Sequence, residues 1–467
     1  MPSRPSFAQS RHLFGLMSLL TFTALPLSTP AYAQGCQCGP GSQAKVQPAV
    51  LTDAAESQAP EKMNIPSTGI YVNDLYFTGA NNILVKRTQV AYLATPRAQS
   101  CLSVGSKSSM GRQAKPEYCQ YSSSQTQAEE ETPRTHQINP QMDLYYSDAP
   151  AYVANRKPVV VLIHGGNFRT NDKRNAINPA RDPWKDSGES CDTLSADLAR
   201  GDPNSWALHA RSYVCAGYMA VSINYRMRDL TDPPYQPATD VADRVLLYAG
   251  RPGERYDDRE WAAARNMGIK DALDDLSSAI RYLKANADKL GIDPTRIVTL
   301  GGSAGGALSM MNAMRANQAG PDVTGYDATV RAALSTGATL ADETNRLVDP
   351  QWQITPDQGD PAIQLYHSSP CDCGSGMSWE ANVLPTKSYI ESRGANGKRQ
   401  GPPCRVIPHN MTDANGNPVY QHTIALTLHD AATGEPGYAF GLQAKRVRKF
   451  LYKQLQLCEL RGESCGV

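Results

Sequence analysis

An excess of charge of either sign is missing, with 46 Lys and Arg against 45 Asp and Glu. A nucleic-acid or anionic-membrane partner needs a basic footprint, so neither is expected. Long apolar runs are also scarce. The one near the N-terminus, Leu13 to Leu27, is short for a bilayer span and contains two threonines, so no stable membrane span is expected. Internal repeats are absent, which argues against solenoids and propellers. Cys-x-x-Cys pairs are absent too. Cys36-Gln37-Cys38 and Cys371-Asp372-Cys373 come nearest, and no companion histidine follows at zinc-finger spacing, which reads against a metal. What is present, 40% hydrophobic and 19% charged residues, suits a globular chain. A length of 467 residues fits two or three domains, or one α/β domain enlarged by insertions.

The N-terminus has the three-part layout of a secretory signal peptide. Arg4, Arg11 and His12 form a basic region, Leu13 to Leu27 an apolar one, and Ala31-Tyr32-Ala33 a small-residue cleavage site. Residues 1–33 are therefore expected to be removed after Ala33, giving a secreted or periplasmic protein. A lipoprotein acylated at Cys36 is the rival, with a poor signal in Ala33-Gln34-Gly35. All eleven cysteines lie beyond that point, which suits an oxidising compartment and disulfides. Cys101 and Cys119, Cys191 and Cys215, and Cys458 and Cys465 are close in sequence, but spacing does not determine connectivity. Cys371 and Cys373 are too close to bond each other without strain, so one of them is expected to pair with Cys404.

Residues 34–70 form a polar, Pro-rich leader, and 71–467 read as the catalytic domain. Within it, insertions are expected at about 100–138, 169–205 and 227–261. Strand-like runs occur at Ile83 to Val85, Val90 to Leu93, Met142 to Tyr146, Val159 to Ile163, Met219 to Tyr225, Ile297 to Leu300, Val330 to Leu334, Ala362 to Tyr366 and Thr423 to Leu428. Helical patterns span Trp206 to Gly217, Ala262 to Leu290, Ala304 to Arg315 and Phe440 to Leu455. In the second of these, Ile269, Leu273, Leu276, Ile280 and Leu283 repeat at three-to-four spacing. The alternation implies a mainly parallel sheet with helices on both faces.

Two short segments carry chemistry. Arg296 to Leu300 runs directly into Gly301-Gly302-Ser303-Ala304-Gly305-Gly306, and a helix follows. A serine on a tight strand-to-helix turn needs small neighbours, and the turn lifts its hydroxyl above the sheet edge. Neither a dinucleotide fingerprint nor a phosphate-loop ending occurs at this turn. The second segment is the buried strand Val159 to Ile163 ending in His164-Gly165-Gly166-Asn167-Phe168. Unobstructed backbone N–H groups there suit the oxyanion of acyl transfer.

From about Gln141 to Leu455 the chain resembles the α/β-hydrolase carboxylesterases. The matching residues are His164-Gly165-Gly166, Ser222-Ile223-Asn224-Tyr225-Arg226, Gly291-Ile292-Asp293-Pro294 and Gly302-Ser303-Ala304-Gly305-Gly306. The resemblance implies Ser303 as nucleophile, with oxyanion donors at Gly166, Asn167 and Ala304. Asn167 departs from the usual glycine. The family order is serine, acid, histidine. Asp372, in His367-Ser368-Ser369-Pro370-Cys371-Asp372, resembles the acid loop, with Asp342 and Glu343 as alternatives. For the base, His409, His422 and His429 follow the acid. His429 ends the last strand-like run, where α/β folds place catalytic groups, whereas His422 opens that run and is expected at the wrong end of the sheet. His409 is expected in a loop.

The resemblance thus implies a serine esterase that cleaves a small-molecule or polymer-borne ester through an acyl-enzyme, with no metal or organic cofactor. An amidase or peptidase with the same triad is the alternative, and a non-catalytic binding protein the third reading. Insertions 169–205 and 227–261 hold Trp184, Tyr235, Tyr248, Tyr256 and Trp261. These residues suit either an aromatic substrate lining or the packing of a lid.

Overall fold

The computed structural model describes residues 83–93, 97–100, 135–138, 141–147, 156–166, 168, 173, 188–194, 197, 206–226, 258–315, 325–340, 354–372, 377–392, 394, 396–409, 411–412, 418–420, 422–428 and 443–459. The signal-like segment, the leader and most of the three insertions lie outside these residues.

The strands are β1 (Leu84–Ala91), β2 (Arg97–Ser100), β3 (Thr135–Ile138), β4 (Gln141–Tyr146), β5 (Lys157–Ile163), β6 (Glu189–Ser190), β7 (Met219–Ile223), β8 (Ile292–Gly302), β9 (Ala332–Thr336), β10 (Ala362–His367), β11 (Cys404–Pro408), β12 (Met411–Thr412) and β13 (Pro418–Val419). The helices are α1 (Trp206–Val214), α2 (Asp258–Ala285), α3 (Ala287–Leu290), α4 (Ala304–Arg315), α5 (Leu384–Glu391) and α6 (Ala444–Gln454). Nine strands form one sheet in the order β11-β10-β9-β8-β5-β7-β4-β1-β6. From β7 to β11 every pairing is parallel, while β4 runs antiparallel to β7 and to β1. This is the mainly parallel sheet of an α/β-hydrolase fold.

The run Val159-Val160-Val161-Leu162-Ile163 is buried on both sides because its strand lies between β7 and β8. Alternate side chains go to opposite faces. Val159, Val161 and Ile163 join Ile269, Leu273, Leu276, Ile280 and Leu283 of α2 and Leu308 of α4. Val160 and Leu162 join Trp206, Tyr213 and Val214 of α1 and Val447 and Leu451 of α6. Full burial of such side chains stabilises by roughly 1.5–3 kcal/mol each. The sheet is thus covered on both faces. The chain passes from β5 to β7 on one side and then to β8 on the other. Such a reversal leaves a crevice at the carboxyl ends of the strands.

One strand differs from expectation. Thr423 to Leu428 forms no strand, and the sheet ends instead on β11. The misreading has a physical cause. Ile424, Ala425, Leu426 and Leu428 are buried, like strand residues, but side chains satisfy their backbone. Ile424 N–H donates to Thr336 Oγ1 at 3.0 Å, Tyr213 Oη–H to the Leu426 carbonyl at 2.8 Å, and Leu428 N–H to Ser212 Oγ at 2.8 Å. Conversely, β11 is short, bounded by Pro403 and Pro408, and lies at the sheet edge, where proline is tolerated.

Cys191 and Cys215 are disulfide-bonded with Cα atoms 5.6 Å apart, tying the β6 segment to the end of α1. Cys371 and Cys458 are also bonded, to partners outside the described residues. Cys404 is free and buried, so the expected bridge from the Cys371 loop is not formed. As the first residue of β11, paired with Ile363, it belongs to the sheet rather than to the loop above it.

Candidate active site

Ser303 stands between β8 and α4 with φ 54°, in the left-handed region that a non-glycine residue enters only under constraint. The constraint is bonded on both sides. Ser303 N–H donates to the Thr336 carbonyl at 2.8 Å, and Ala307 N–H to the Ser303 carbonyl at 3.0 Å. Neighbouring glycines are required by close approach. A Cβ on Gly305 would lie 2.0 Å from the Ile163 carbonyl oxygen, and one on Gly301 2.1 Å from that of Gly305. Gly302 differs, since its Cβ would meet nothing closer than 3.5 Å.

The partner of Ser303 is His422. Its Nε2 lies 2.8 Å from Ser303 Oγ, and its Nδ1 is hydrogen-bonded to Asp372 Oδ2. Ser303, His422 and Asp372 therefore form one hydrogen-bonded line above the carboxyl ends of the strands. The expectation that His422 would face the wrong end of the sheet is overturned. Because 423–428 is not a strand, the chain reaches the catalytic edge at His422 and then descends against α1. His429 lies outside the described residues, as do the alternative acids Asp342 and Glu343. With Cys404–Pro408 counted as the last strand of the main sheet, His409 and His422 both follow it, so chain order in the sequence does not choose between them.

Two supports place the imidazole. Ile424 is bonded to Thr336 at the end of β9. Beside it, Gly337 (φ 61°) packs so closely that a Cβ would lie 1.9 Å from the His422 carbonyl oxygen. Asp372 is buried, and its N–H donates to the Met377 carbonyl at 2.8 Å.

Two further histidines crowd the acid. His367, at the end of β10, has Nε2 3.9 Å from Asp372 Oδ2, and its Nδ1 meets the Ser368 carbonyl at 3.0 Å. Burial lowers its pKa. His409 is fully buried and its pKa is lowered to about 3, chiefly by desolvation and then by His367. Both rings are neutral at ordinary pH.

The His164-Gly165-Gly166 segment leaves β5 directly beside Ser303. A Cβ on Gly165 would lie 3.0 Å from the Gly302 carbonyl oxygen and 3.2 Å from Ser303 Cβ. Gly166 has φ 103°. Ala304 opens α4, where an N–H has no partner within the helix. Asn167 lies outside the described residues. His164 stacks on Tyr225 with ring centroids 4.1 Å apart, and burial lowers its pKa to about 4. Tyr225 Oη donates toward the His164 carbonyl at 2.9 Å and the Gly165 carbonyl at 3.1 Å. His164 Nδ1 also meets the Gly165 carbonyl, at 2.8 Å. Arg226 next to Tyr225 binds Asp275 of α2 through its N–H, Nε and Nη2, anchoring this end of β7.

Among the described residues no cluster of His, Cys, Asp and Glu could hold a metal ion, and no helix is long and apolar enough to cross a membrane. Of the aromatic residues in the insertions, Trp184, Tyr235, Tyr248 and Tyr256 lie outside the described residues.

Residues 260–342, which include Ser303, match the BD-FAE family model, an α/β-hydrolase-type esterase domain. No curated protein matches the chain in sequence. Among solved structures, the chain is similar to Thermogutta terrifontis esterase 2 phosphonylated by cyclosarin, at 15% identity and TM-score 0.38 over 70% of this chain and 92% of that one. It is similar to an acetyl ester-xyloside bifunctional hydrolase from Caldicellulosiruptor lactoaceticus at 16% identity and TM-score 0.34, over 70% and 89%. A truncated carbohydrate esterase from gut microbiota has 16% identity and TM-score 0.37, over 68% and 90%.

Proposed function

We propose that this chain is a secreted serine hydrolase of carboxylic esters, acting through Ser303, His422 and Asp372. The hydrogen-bonded line from Ser303 Oγ through the His422 ring to Asp372 carries this reading. The match of residues 260–342 to an esterase-domain model supports the ester as substrate class. The signal-like N-terminus supports secretion.

His422 Nε2 accepts the Ser303 proton as Oγ attacks the ester carbonyl carbon. Asp372 accepts from Nδ1–H, which sets the tautomer and stabilises the imidazolium that forms. The tetrahedral oxyanion takes backbone N–H bonds from Gly166, Asn167 and Ala304, with the first turn of α4 favouring negative charge. The imidazolium then gives its proton to the leaving alcohol. A water, deprotonated by the same ring, hydrolyses the acyl-enzyme and frees the acid. None of these steps calls for a cofactor.

The test is labelling by a fluorophosphonate together with turnover of matched p-nitrophenyl ester and anilide substrates. Adduct formation at Ser303, lost in Ser303→Ala, with ester cleaved far faster than anilide, is expected. Faster anilide turnover would replace the esterase with an amidase. No adduct and no turnover would leave a binding protein.

A further inference from the structure

Tyr225 has no place in the proton path, yet its hydroxyl reaches under the oxyanion segment. We infer that Tyr225 is a positioning residue for the oxyanion hole, acting with His164 on the Gly165 carbonyl to aim the Gly166 N–H at the reacting oxygen. The inference rests on the proposed serine-hydrolase reading.

In a trans peptide the carbonyl of one residue and the N–H of the next point in opposite directions. The Gly165 carbonyl accepts from His164 Nδ1 at 2.8 Å and, at 3.1 Å, a share of the single Tyr225 Oη–H, which lies 2.9 Å from the adjoining His164 carbonyl. The Gly166 N–H must therefore point away from those two donors. Gly165 itself lies against Gly302 and Ser303, so this peptide is at the nucleophile. Two glycines in succession have little conformational restraint of their own, and Gly166 sits at φ 103°. Without an outside hold the peptide plane would rotate, and the donor would have to be reoriented in each turnover. Preorganised donors accelerate because that reorientation is already done.

Tyr225 is itself fixed. It stacks on His164 at 4.1 Å and 13° between planes. Asn224 before it accepts Tyr92 Oη–H at its carbonyl (2.6 Å), and Arg226 after it is bound to Asp275. The Nδ1 contact of His164 is to a carbonyl oxygen, so Nδ1 carries the proton. Because burial keeps the ring neutral down to about pH 4, this donor is the same across the working range.

Tyr225→Phe keeps the stacked ring and removes only the hydroxyl. The expected result is a fall in kcat of about tenfold for p-nitrophenyl butyrate, less than the loss of an oxyanion donor itself. KM should change by less than about twofold, and fluorophosphonate inactivation should slow in parallel with kcat. A merely structural role would lower the melting temperature without this selective loss of kcat. His164→Phe keeps a ring, removes the other donor to the same carbonyl, and serves as the test if Tyr225→Phe does not fold. It should give the same kcat-selective loss, and the double variant less than the product of the two. An unchanged kcat in either folded variant, with wild type labelled at Ser303, overturns the inference and leaves the esterase reading standing. A wild type that is neither labelled nor active overturns both.

Discussion

The Ser303 turn is assembled from contiguous chain, whereas Asp372 and His422 arrive on two separate loops, and that of His422 is held by another element. On the nucleophile side, β8, the turn and α4 occupy residues 292–315 without interruption. Their geometry is enforced by backbone approaching backbone at Gly301 and Gly305. On the acid and base side, Asp372 is held within its own loop by Met377, whereas His422 is held by Thr336 at the end of β9, through Ile424, and by Gly337 just beyond that strand. Local steric constraint is visible in residue types. Support from a distant element leaves no mark on the loop that receives it.

The sharpest contrast is within the base loop. His422→Ala should lower kcat by three orders of magnitude or more, as loss of a triad base does. His429→Ala should remain within about threefold of wild type. Initial rates on p-nitrophenyl butyrate decide it, and an inactive His429→Ala with an active His422→Ala would undo the assignment. On the nucleophile side, Gly305→Ala forces a carbon to 2.0 Å from a backbone oxygen in the central strand. It should destabilise by about 3 kcal/mol or abolish folding. Gly302→Ala, with nothing nearer than 3.5 Å, should fold with wild-type stability. Equal melting temperatures for the two variants would remove the steric account of the turn.

Both halves carry buried neutral histidines: His164 at the end of β5 next to Gly165, and His367 and His409 near Asp372. Their folded pKa values lie below the ordinary 6.5, at about 4 for His164 and about 3 for His409. The unfolded chain therefore binds their protons first. Stability should be full above about pH 6.5 and fall as the pH drops toward 4, by up to about 3 kcal/mol for His164. Melting temperatures from pH 7.5 to 4 should decline accordingly, and His409→Leu should flatten the slope. A slope unchanged in that variant would assign the acid sensitivity elsewhere. The smallest effect is expected at Cys404. It is free and buried, and desolvation raises its pKa to about 12, so its thiol should resist alkylation until the protein unfolds. Cys404→Ala should cost only about 1 kcal/mol. Peptide mapping that finds Cys404 linked to Cys371 or Cys373 would show that the Asp372 loop is covalently tied to β11 after all.

The sequence by itself determined most of the sheet and the nucleophile turn, because both are written in short-range pattern. The β-branched run at 159–163, the three-to-four spacing of α2 and the small residues around Ser303 each admit few local conformations. Which histidine meets Ser303 was decided only by the tertiary structure. Residues 423–428 are as apolar as a strand, and burial against α1 rewards the same residue types as burial in a sheet. The difference lies in who satisfies the backbone: Thr336, Tyr213 and Ser212, brought from elsewhere in the fold, take the hydrogen bonds that a neighbouring strand would have supplied. A pattern of hydrophobicity records that a segment is buried, not which way it runs. The direction of that segment is what places His422 at the nucleophile.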